Sequence, residues 1–327
     1  MTRIAVIPGD GIGKEVAEEG ALLLRELSEL RGLGLELRHF DYGADRYLRD
    51  GTTLPKEQIE EFRRDYRAIL FGAVGDPRVP DGRHAREILL ALRFELDLYV
   101  NLRPVKLWAD RFSPLKGKGM KEIDAVFFRE NTEGTYLGMG GVFKRGTADE
   151  IAIEEDVNTR KGVERIVRAA FEHARATGRK RWTLADKANV LRPAGGLWRR
   201  VFGEVGAEYP EIESNAMYVD AMALDMVLHP ARYEVIVASN LFGDILSDLA
   251  AALVGGLGLA PSANLHPGKP GLYEPVHGSA PDIAGRDLAN PLAAILTAAL
   301  MLEQLGFPRE AERVEAAVRR SIALGQT

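Results

Sequence analysis

Short apolar runs rich in β-branched and aromatic residues alternate along this chain with stretches in which apolar positions recur every three or four residues. Ile4-Ala-Val-Ile7 predicts a buried strand, followed by a glycine loop and a helix from about Lys14. Ala68-Ile-Leu-Phe71 predicts a second strand, ending in Gly72. Ala125-Val-Phe-Phe128, Trp182-Thr-Leu-Ala185 and Val235–Ala238 continue the series, with helical patterns between them. In one, Val163, Ile166, Val167, Ala170 and Phe171 follow the spacing of a half-buried helix. Pro291 and Pro308 stand where helices begin. Such alternation predicts an α/β fold with helices on both faces of the sheets. One stretch departs from it. Leu137-Gly-Met-Gly-Gly-Val-Phe-Lys-Arg-Gly146 is glycine-rich, and Glu150-Ile-Ala-Ile-Glu154 alternates as a strand does. Together they predict a hairpin-like arm near 137–156, which is either a means of holding a partner subunit or an ordinary surface hairpin.

Composition narrows the classes open to such a fold. At 327 residues and 46% apolar, the chain is comfortable for two domains and buries a sizeable core. Its 48 acidic and 43 basic side chains are well mixed, with a net charge of −5. No basic stripe points to nucleic acid and no polybasic tail to a membrane surface. The chain has no cysteine, which excludes disulfides, thiolate metal sites and a cysteine nucleophile, and fits a reducing cytoplasm. Its beginning reaches Pro8-Gly9 before any signal-peptide core forms. The runs Leu249–Ala260 and Leu292–Leu302 are too short to span a bilayer. A soluble, cytoplasmic protein is expected.

The most informative segment is Asn240-Leu-Phe-Gly-Asp-Ile-Leu-Ser-Asp248, read as the first turns of a helix. Asp244 and Asp248 stand four apart and leave the same helical face. Like charges at that spacing repel by roughly 0.2–0.5 kcal/mol, and a divalent cation reverses the sign. Hard oxygen ligands suit Mg²⁺ or Mn²⁺. A solvated acidic face carries the same pair, but the apolar flanks favour the metal. The loop Pro8-Gly-Asp-Gly-Ile-Gly13 fails the dinucleotide fingerprint, because Lys14 stands where its last glycine belongs. Arg93, Arg103 and Arg129 each follow an apolar or strand-like run. Singly, each reads as an ion-pair arginine; as a set they suit a substrate with more than one carboxylate. Lys187 ends a strand in a loop and suits a tuned base, while Tyr136 suits a proton donor. Taken alone, each also reads as an ordinary residue. Finally, Glu274-Pro-Val-His-Gly-Ser-Ala-Pro-Asp282 is rich in turn formers, and Asp282 suits hydrogen bonds from a ribose diol.

These motifs, in this order and over essentially the whole chain, resemble the β-decarboxylating dehydrogenases, which act on isocitrate, 3-isopropylmalate, homoisocitrate, tartrate or D-malate. The resemblance rests on Pro8–Gly13, Arg129-Glu-Asn-Thr-Glu-Gly134, Asp186-Lys-Ala-Asn189, Asn240–Asp248 and Glu274–Asp282. It implies a two-domain, non-Rossmann α/β subunit. Residues 1–98 plus 250–327 would form the cofactor-side domain, and 99–249 the substrate, metal and dimerisation domain with its arm. It further implies a homodimer with shared sites, in which Asp244 and Asp248 bind Mg²⁺ or Mn²⁺ together with the partner's Asp220. Arg93, Arg103 and Arg129 would hold substrate carboxylates. Lys187, reaching across from the other subunit, would take the hydroxyl proton as hydride leaves for NAD, and Tyr136 would return a proton after decarboxylation. Gly278, Ser279, Ala280, Asp282 and Asn290 would face the adenosine part of the cofactor.

Leu89 and Leu90 bear on the substrate, since in the resembled family this helix approaches its variable group. Isocitrate enzymes place Ser and Asn in the region, and homoisocitrate enzymes an arginine where Leu90 stands. An apolar wall matches an isopropyl group, so the expected reaction is oxidative decarboxylation of 3-isopropylmalate, a step of leucine biosynthesis. Two departures stand against the family pattern. Asn131 and Glu133 replace the Leu and Gly of many isopropylmalate enzymes, a form shared with isocitrate and tartrate enzymes. The chain also ends at Ala323-Leu-Gly-Gln-Thr327, where members commonly continue through a Thr-x-Asp-Leu-Gly-Gly segment, so a truncated terminus is expected. Of other classes, a catalytically silent regulatory subunit is the alternative. Retention of Lys187, Tyr136, Asp220, Asp244 and Asp248 argues against it.

Overall fold

The structure is a computed structural model and describes residues 1–325; Gln326 and Thr327, part of the divergent ending, lie outside the described residues. Its strands, in chain order, are β1 (Thr2–Gly9), β2 (Leu35–His39), β3 (Ala68–Ala73), β4 (Val100–Lys106), β5 (Asp124–Glu130) and β6 (Gly140–Phe143), then β7 (Ile151–Glu154), β8 (Arg181–Asp186), β9 (Glu213–Tyr218), β10 (Val235–Ala238), β11 (Pro261–Leu265) and β12 (Gly271–Pro275). Ten form one mixed sheet in the order β2-β1-β3-β12-β11-β4-β5-β10-β8-β9. The strands β2, β1, β3 and β12 are mutually parallel, as are β5, β10, β8 and β9. Antiparallel pairing of β12 with β11, β11 with β4 and β4 with β5 joins the two sets.

Because successive side chains in a strand alternate between faces, the two faces of this sheet read separately. On the first face one core runs from edge to edge. Ile4, Leu70, Tyr273, Ala263, Leu102, Phe128, Val237 and Trp182 all belong to it. The helices Gly13–Arg31, Arg160–Thr177, Arg192–Gly206 and Leu292–Gln304 cover it. The five helical positions read from periodicity, Val163 to Phe171, are all buried there. Trp182 stacks against both Phe171 and Phe202, with ring centroids 4.4 and 4.6 Å away.

The second face is divided. Ala5, Ile7, Ile69, Phe71 and Leu272 form one core with the helix Lys56–Asp65 and with Ile88 and Leu92. Val105, Phe127, Ile236 and Ala238 form another with the helices Val219–Leu228 and Asn240–Leu253. Between the two, the corresponding positions of β4, β11 and β12 are polar: Asn101, Arg103, Ser262, Asn264 and Glu274, all buried. This buried polar stripe separates the two cores of the second face. It holds the candidate site.

The strands read from the sequence are present, as are helices starting at Pro291 and Pro308. The arm is also present, as the antiparallel pair β6–β7, with all eight residues exposed. Among the described residues no helix is long and apolar enough to cross a membrane.

Candidate active site

The helix Asn240–Leu253 begins directly after β10, so its first turns stand beside the end of β5, where Arg129 lies. A Cβ on Gly243 would fall 2.7 Å from Cγ of Arg129, so glycine at that position lets the arginine lie flat against the helix. Arg129 is 1% exposed. Its Nε and Nη2 donate to Oδ1 of Asn240 at 2.9 and 2.7 Å, its Nη1 pairs with Asp244, and its guanidinium lies 5.1 Å above the Tyr136 ring. Tyr136, on the short turn Gly134–Leu137, donates its hydroxyl to the other oxygen of Asp244. Arg103 enters from β4. It reaches Oδ1 of Asp244 and Oδ1 of Asp248, both at 3.2 Å, and donates to Ser247 at 2.8 Å.

The two aspartates therefore share a face and two cations, and their surroundings pull them apart. Burial works to raise the pKa of Asp244, but the charges of Arg129 and Arg103 outweigh it and hold the carboxyl below its usual range. For Asp248, burial dominates and the neighbouring Asp244 charge adds to it, so its pKa is raised despite Arg103. Burial, then repulsion by Arg103, lowers the Arg129 guanidinium to about 10. Burial and the bond to Asp244 raise Tyr136, which keeps it a protonated phenol at neutral pH.

Arg93 sits in a different part of the same polar stripe. It follows a π-helical turn, Arg86–Leu90, closed by the Ala91 amide on the Arg86 carbonyl. Wide turns of this kind recur at functional sites. Arg93 donates to Glu274 at 2.8 Å, and Asn264 donates to the same oxygen at 2.8 Å. Asn264 in turn accepts from Asn101 and from Asn131, both at 2.8 Å, and Asn101 accepts from Nε of Arg103 at 2.7 Å. One continuous chain of hydrogen bonds thus joins Arg93 to Arg103. Leu89 and Leu90 are half-buried, and Leu89 also packs against the core beneath.

The remaining expected residues fall into two further groups. Lys187, just beyond β8, pairs with Asp220 at 2.5 Å, and the lysine lowers the pKa of that aspartate. Asp220 is 67% exposed, and among the described residues no three acidic or histidine side chains converge on one metal position within the chain. Two carboxylates, Asp244 and Asp248, therefore stand close together within the chain, and their oxygens are donors of the kind a hard divalent ion takes. On the loop after β12, Ser279 is buried while Gly278 and Asp282 are exposed, and a Cβ on Gly278 would meet nothing within 4 Å. Ala280 has a positive φ of 36°, and Asn290 caps the next helix by accepting from the Leu292 amide at 2.9 Å. Arg286 donates to the backbone carbonyl of Asp282 at 3.4 Å.

Sequence reasoning did not assign roles to Asn101, Asn131, Asn264, Glu274 or His277. Asn131, Glu274 and His277 lie inside motifs singled out for other residues; Asn101 stands two residues before Arg103, and Asn264 had no signal beyond its place in Pro261-Ser-Ala-Asn-Leu265. Three buried polar atoms in these groups have no partner among the described residues: Nε of Arg93, Oδ1 of Asn131 and Nε2 of His277. Burial lowers the pKa of His277, which keeps its imidazole neutral. Buried donors and acceptors of this kind are free to bond a polar ligand.

Known proteins resemble this chain over nearly its whole length. A profile described as isocitrate/isopropylmalate dehydrogenase matches residues 3–327. The 3-isopropylmalate dehydrogenase of Thermobifida fusca (strain YX) is 49% identical over 322 residues, covering 98% of this chain and 91% of its own. That of Corynebacterium jeikeium (strain K411) is 51% identical over 319 residues, 97% of this chain and 92% of its own. Among solved structures, isocitrate dehydrogenase from Methylococcus capsulatus superposes with a TM-score of 0.89 at 40% identity, covering 100% of this chain and 92% of that one.

The polar stripe makes a direct prediction. Replacing Asn264 by leucine, of similar volume, takes one buried hydrogen-bond partner from each of Glu274, Asn101 and Asn131. Each unpaired polar group costs about 1–3 kcal/mol, so the variant should lose on the order of 3 kcal/mol or more. An unchanged urea midpoint at fixed protein concentration would show that the stripe is not cooperative.

Proposed function

The chain belongs to the isocitrate/isopropylmalate dehydrogenase family, and from that premise we propose that it oxidatively decarboxylates (2R,3S)-3-isopropylmalate to 4-methyl-2-oxopentanoate and CO₂ with NAD⁺ and Mg²⁺ or Mn²⁺, in cytoplasmic leucine biosynthesis. The observation that carries the substrate choice is the pairing of Arg93 with half-buried Leu90 one turn before it. An arginine offers a carboxylate its partner, and the leucine offers none. Placing a second carboxylate against that wall costs several kcal/mol, which disfavours isocitrate and homoisocitrate. The two relatives near 50% identity carry the isopropylmalate name, and the solved isocitrate enzyme is more distant at 40%.

In this reading Asp244 and Asp248, with the partner subunit's Asp220, hold the divalent ion, whose Lewis acidity lowers the pKa of a hydroxyl chelated to it. Arg93, Arg103 and Arg129 orient the two substrate carboxylates. The partner subunit's Lys187 would take the hydroxyl proton, and a nicotinamide held beside C2 would supply the hydride acceptor. The C3 carboxylate then leaves as CO₂, and Tyr136, held as a phenol, protonates C3. The hydroxyl proton lost and the C3 proton gained cancel, so hydroxy acid dianion plus NAD⁺ gives oxo acid monoanion, CO₂ and NADH. Gly278, Ser279, Ala280, Asp282 and Asn290 take the adenosine side. Residues 1–98 plus 250–327 act as one domain and 99–249 as the other, with the arm and the Lys187–Asp220 region serving a homodimer.

A steady-state panel of 3-isopropylmalate, isocitrate, homoisocitrate, tartrate and D-malate tests the substrate. 3-Isopropylmalate should exceed isocitrate in kcat/KM by at least about a hundredfold, and EDTA should abolish turnover. A preference for any tricarboxylate sinks the assignment.

Shared sites are checked by subunit exchange. Inactive Lys187→Ala and Asp244→Asn proteins, once exchanged, should regain activity, because one site in each heterodimer is then intact. Proven exchange without recovery rules the arrangement out.

Cofactor choice rests on Asp282, which accepts from a ribose diol and repels a 2′-phosphate. Arg286, bonded to the Asp282 carbonyl rather than its carboxylate, offsets this weakly. NAD⁺ should be preferred over NADP⁺ by on the order of a hundredfold in kcat/KM. Equal values for the two would mean the loop does not discriminate.

A further inference from the structure

The glycine loop after β1 fails the dinucleotide fingerprint, yet it is tied to the loop proposed to hold the adenosine. The amide of Ile12 donates to the carbonyl of Ser279 at 2.8 Å, and a Cβ on Gly11 would lie 2.0 Å from that oxygen. Gly11 also has a φ of +53°, which other residues rarely adopt. From the other side, Gly75, with φ +143°, comes close enough that a Cβ would lie 3.3 Å from the Ser279 hydroxyl. Two glycine turns therefore clamp Ser279.

A single buried carboxylate holds these turns together. Asp10 is 2% exposed and accepts from the amides of Ala44 at 2.6 Å and Gly75 at 2.9 Å. Its remaining contact is Nε2 of His84 at 2.8 Å, from a side chain with no exposure at all. A carboxylate in this position has only acceptors to offer, so the imidazole must present Nε2–H to it. The Tyr47 ring, stacked 6.1 Å from the imidazole, closes the pocket.

We propose that His84 is a positioning residue for the dinucleotide: through Asp10 it fixes the Gly11 and Gly75 turns against Ser279 and so sets cofactor affinity. This rests on reading residues 278–282 as the cofactor loop. The hydroxy acid is held independently. Downstream of His84 the same helical run is anchored by Ile88 and Leu92, both fully buried, and by the Arg93–Glu274 pair. Loss of the imidazole therefore leaves Leu90 and Arg93 in place while loosening the loop contacts.

The test measures the equilibrium Kd for NADH by fluorescence, without hydroxy acid, alongside steady-state kinetics and thermal unfolding. His84→Leu, which keeps volume and removes the donor, should raise the NADH Kd roughly tenfold, the scale of one hydrogen bond to a charged group. The kcat and the KM for 3-isopropylmalate should stay within about twofold, and His84→Gln, whose amide can donate from nearly the Nε2 position, should restore most of the affinity. If His84→Leu does not fold, Asp10→Asn serves instead and should weaken NADH in the same selective way. A folded variant with lowered Tm but unchanged Kd overturns the proposal, as does an equal loss for both ligands. Wild-type protein that binds no NADH refutes the cofactor reading itself, before any variant is compared.

Discussion

The hydrogen-bonded chain from Arg93 through Glu274, Asn264 and Asn101 to Arg103 is the constraint on which the rest depends. A sheet of ten strands with both faces covered would ordinarily be apolar throughout. Here the second face turns polar at the very strands that join its two parallel sets. Those groups are tolerable only because nearly each one meets another, and the two cores of that face cannot merge across them. The first face carries no such stripe, so its core is continuous and holds the two halves together.

Charge in the gap follows the same logic. Arg93, Arg103 and Arg129 face Glu274, Asp244 and Asp248, three cations against three anions. Arg103 bridges both aspartates. On the proposed function, a divalent cation with a dicarboxylate substrate would add two positive and two negative charges and leave the balance unchanged. The aspartates would then pass from guanidinium to metal and the arginines from aspartate to substrate. That exchange would account for a pair of carboxylates built beside arginines.

How much of this was legible in the sequence depended on where polarity lay. Strands β1, β3, β5, β8 and β10 were readable because each is a nearly unbroken apolar run. Strands β4, β11 and β12 were not, since their second-face positions include the polar Asn101, Arg103, Ser262, Asn264 and Glu274 and one of them carries Pro104 within it. The polar stripe that makes the site also hid the strands that bear it. Asp244, Asp248, Arg129 and Tyr136 were marked in advance, and the structure brings Arg129 and Tyr136 onto Asp244 while Arg103 links Asp244 to Asp248. Lys187 and Asp220 do not reach that group within one chain. Their role depends on the proposed partner subunit, a surface that periodicity cannot describe.

The glycine loop shows the limit of motif reading most clearly. Pro8-Gly-Asp-Gly-Ile-Gly13 looked like a phosphate cradle with one wrong residue, and judged by its glycines alone it was a failed fingerprint. In the fold, Gly11 is required by the Ser279 carbonyl that presses on it, and Gly9 by the Ala73 carbonyl, which a Cβ would approach to 1.9 Å. The glycines are therefore spent on contact between loops. The residue between them, Asp10, does the organising, and its buried partner comes from a segment 74 residues away. A tie of that length has no local signature. It emerges only when the helix carrying His84 is folded back over the ends of β1 and β3.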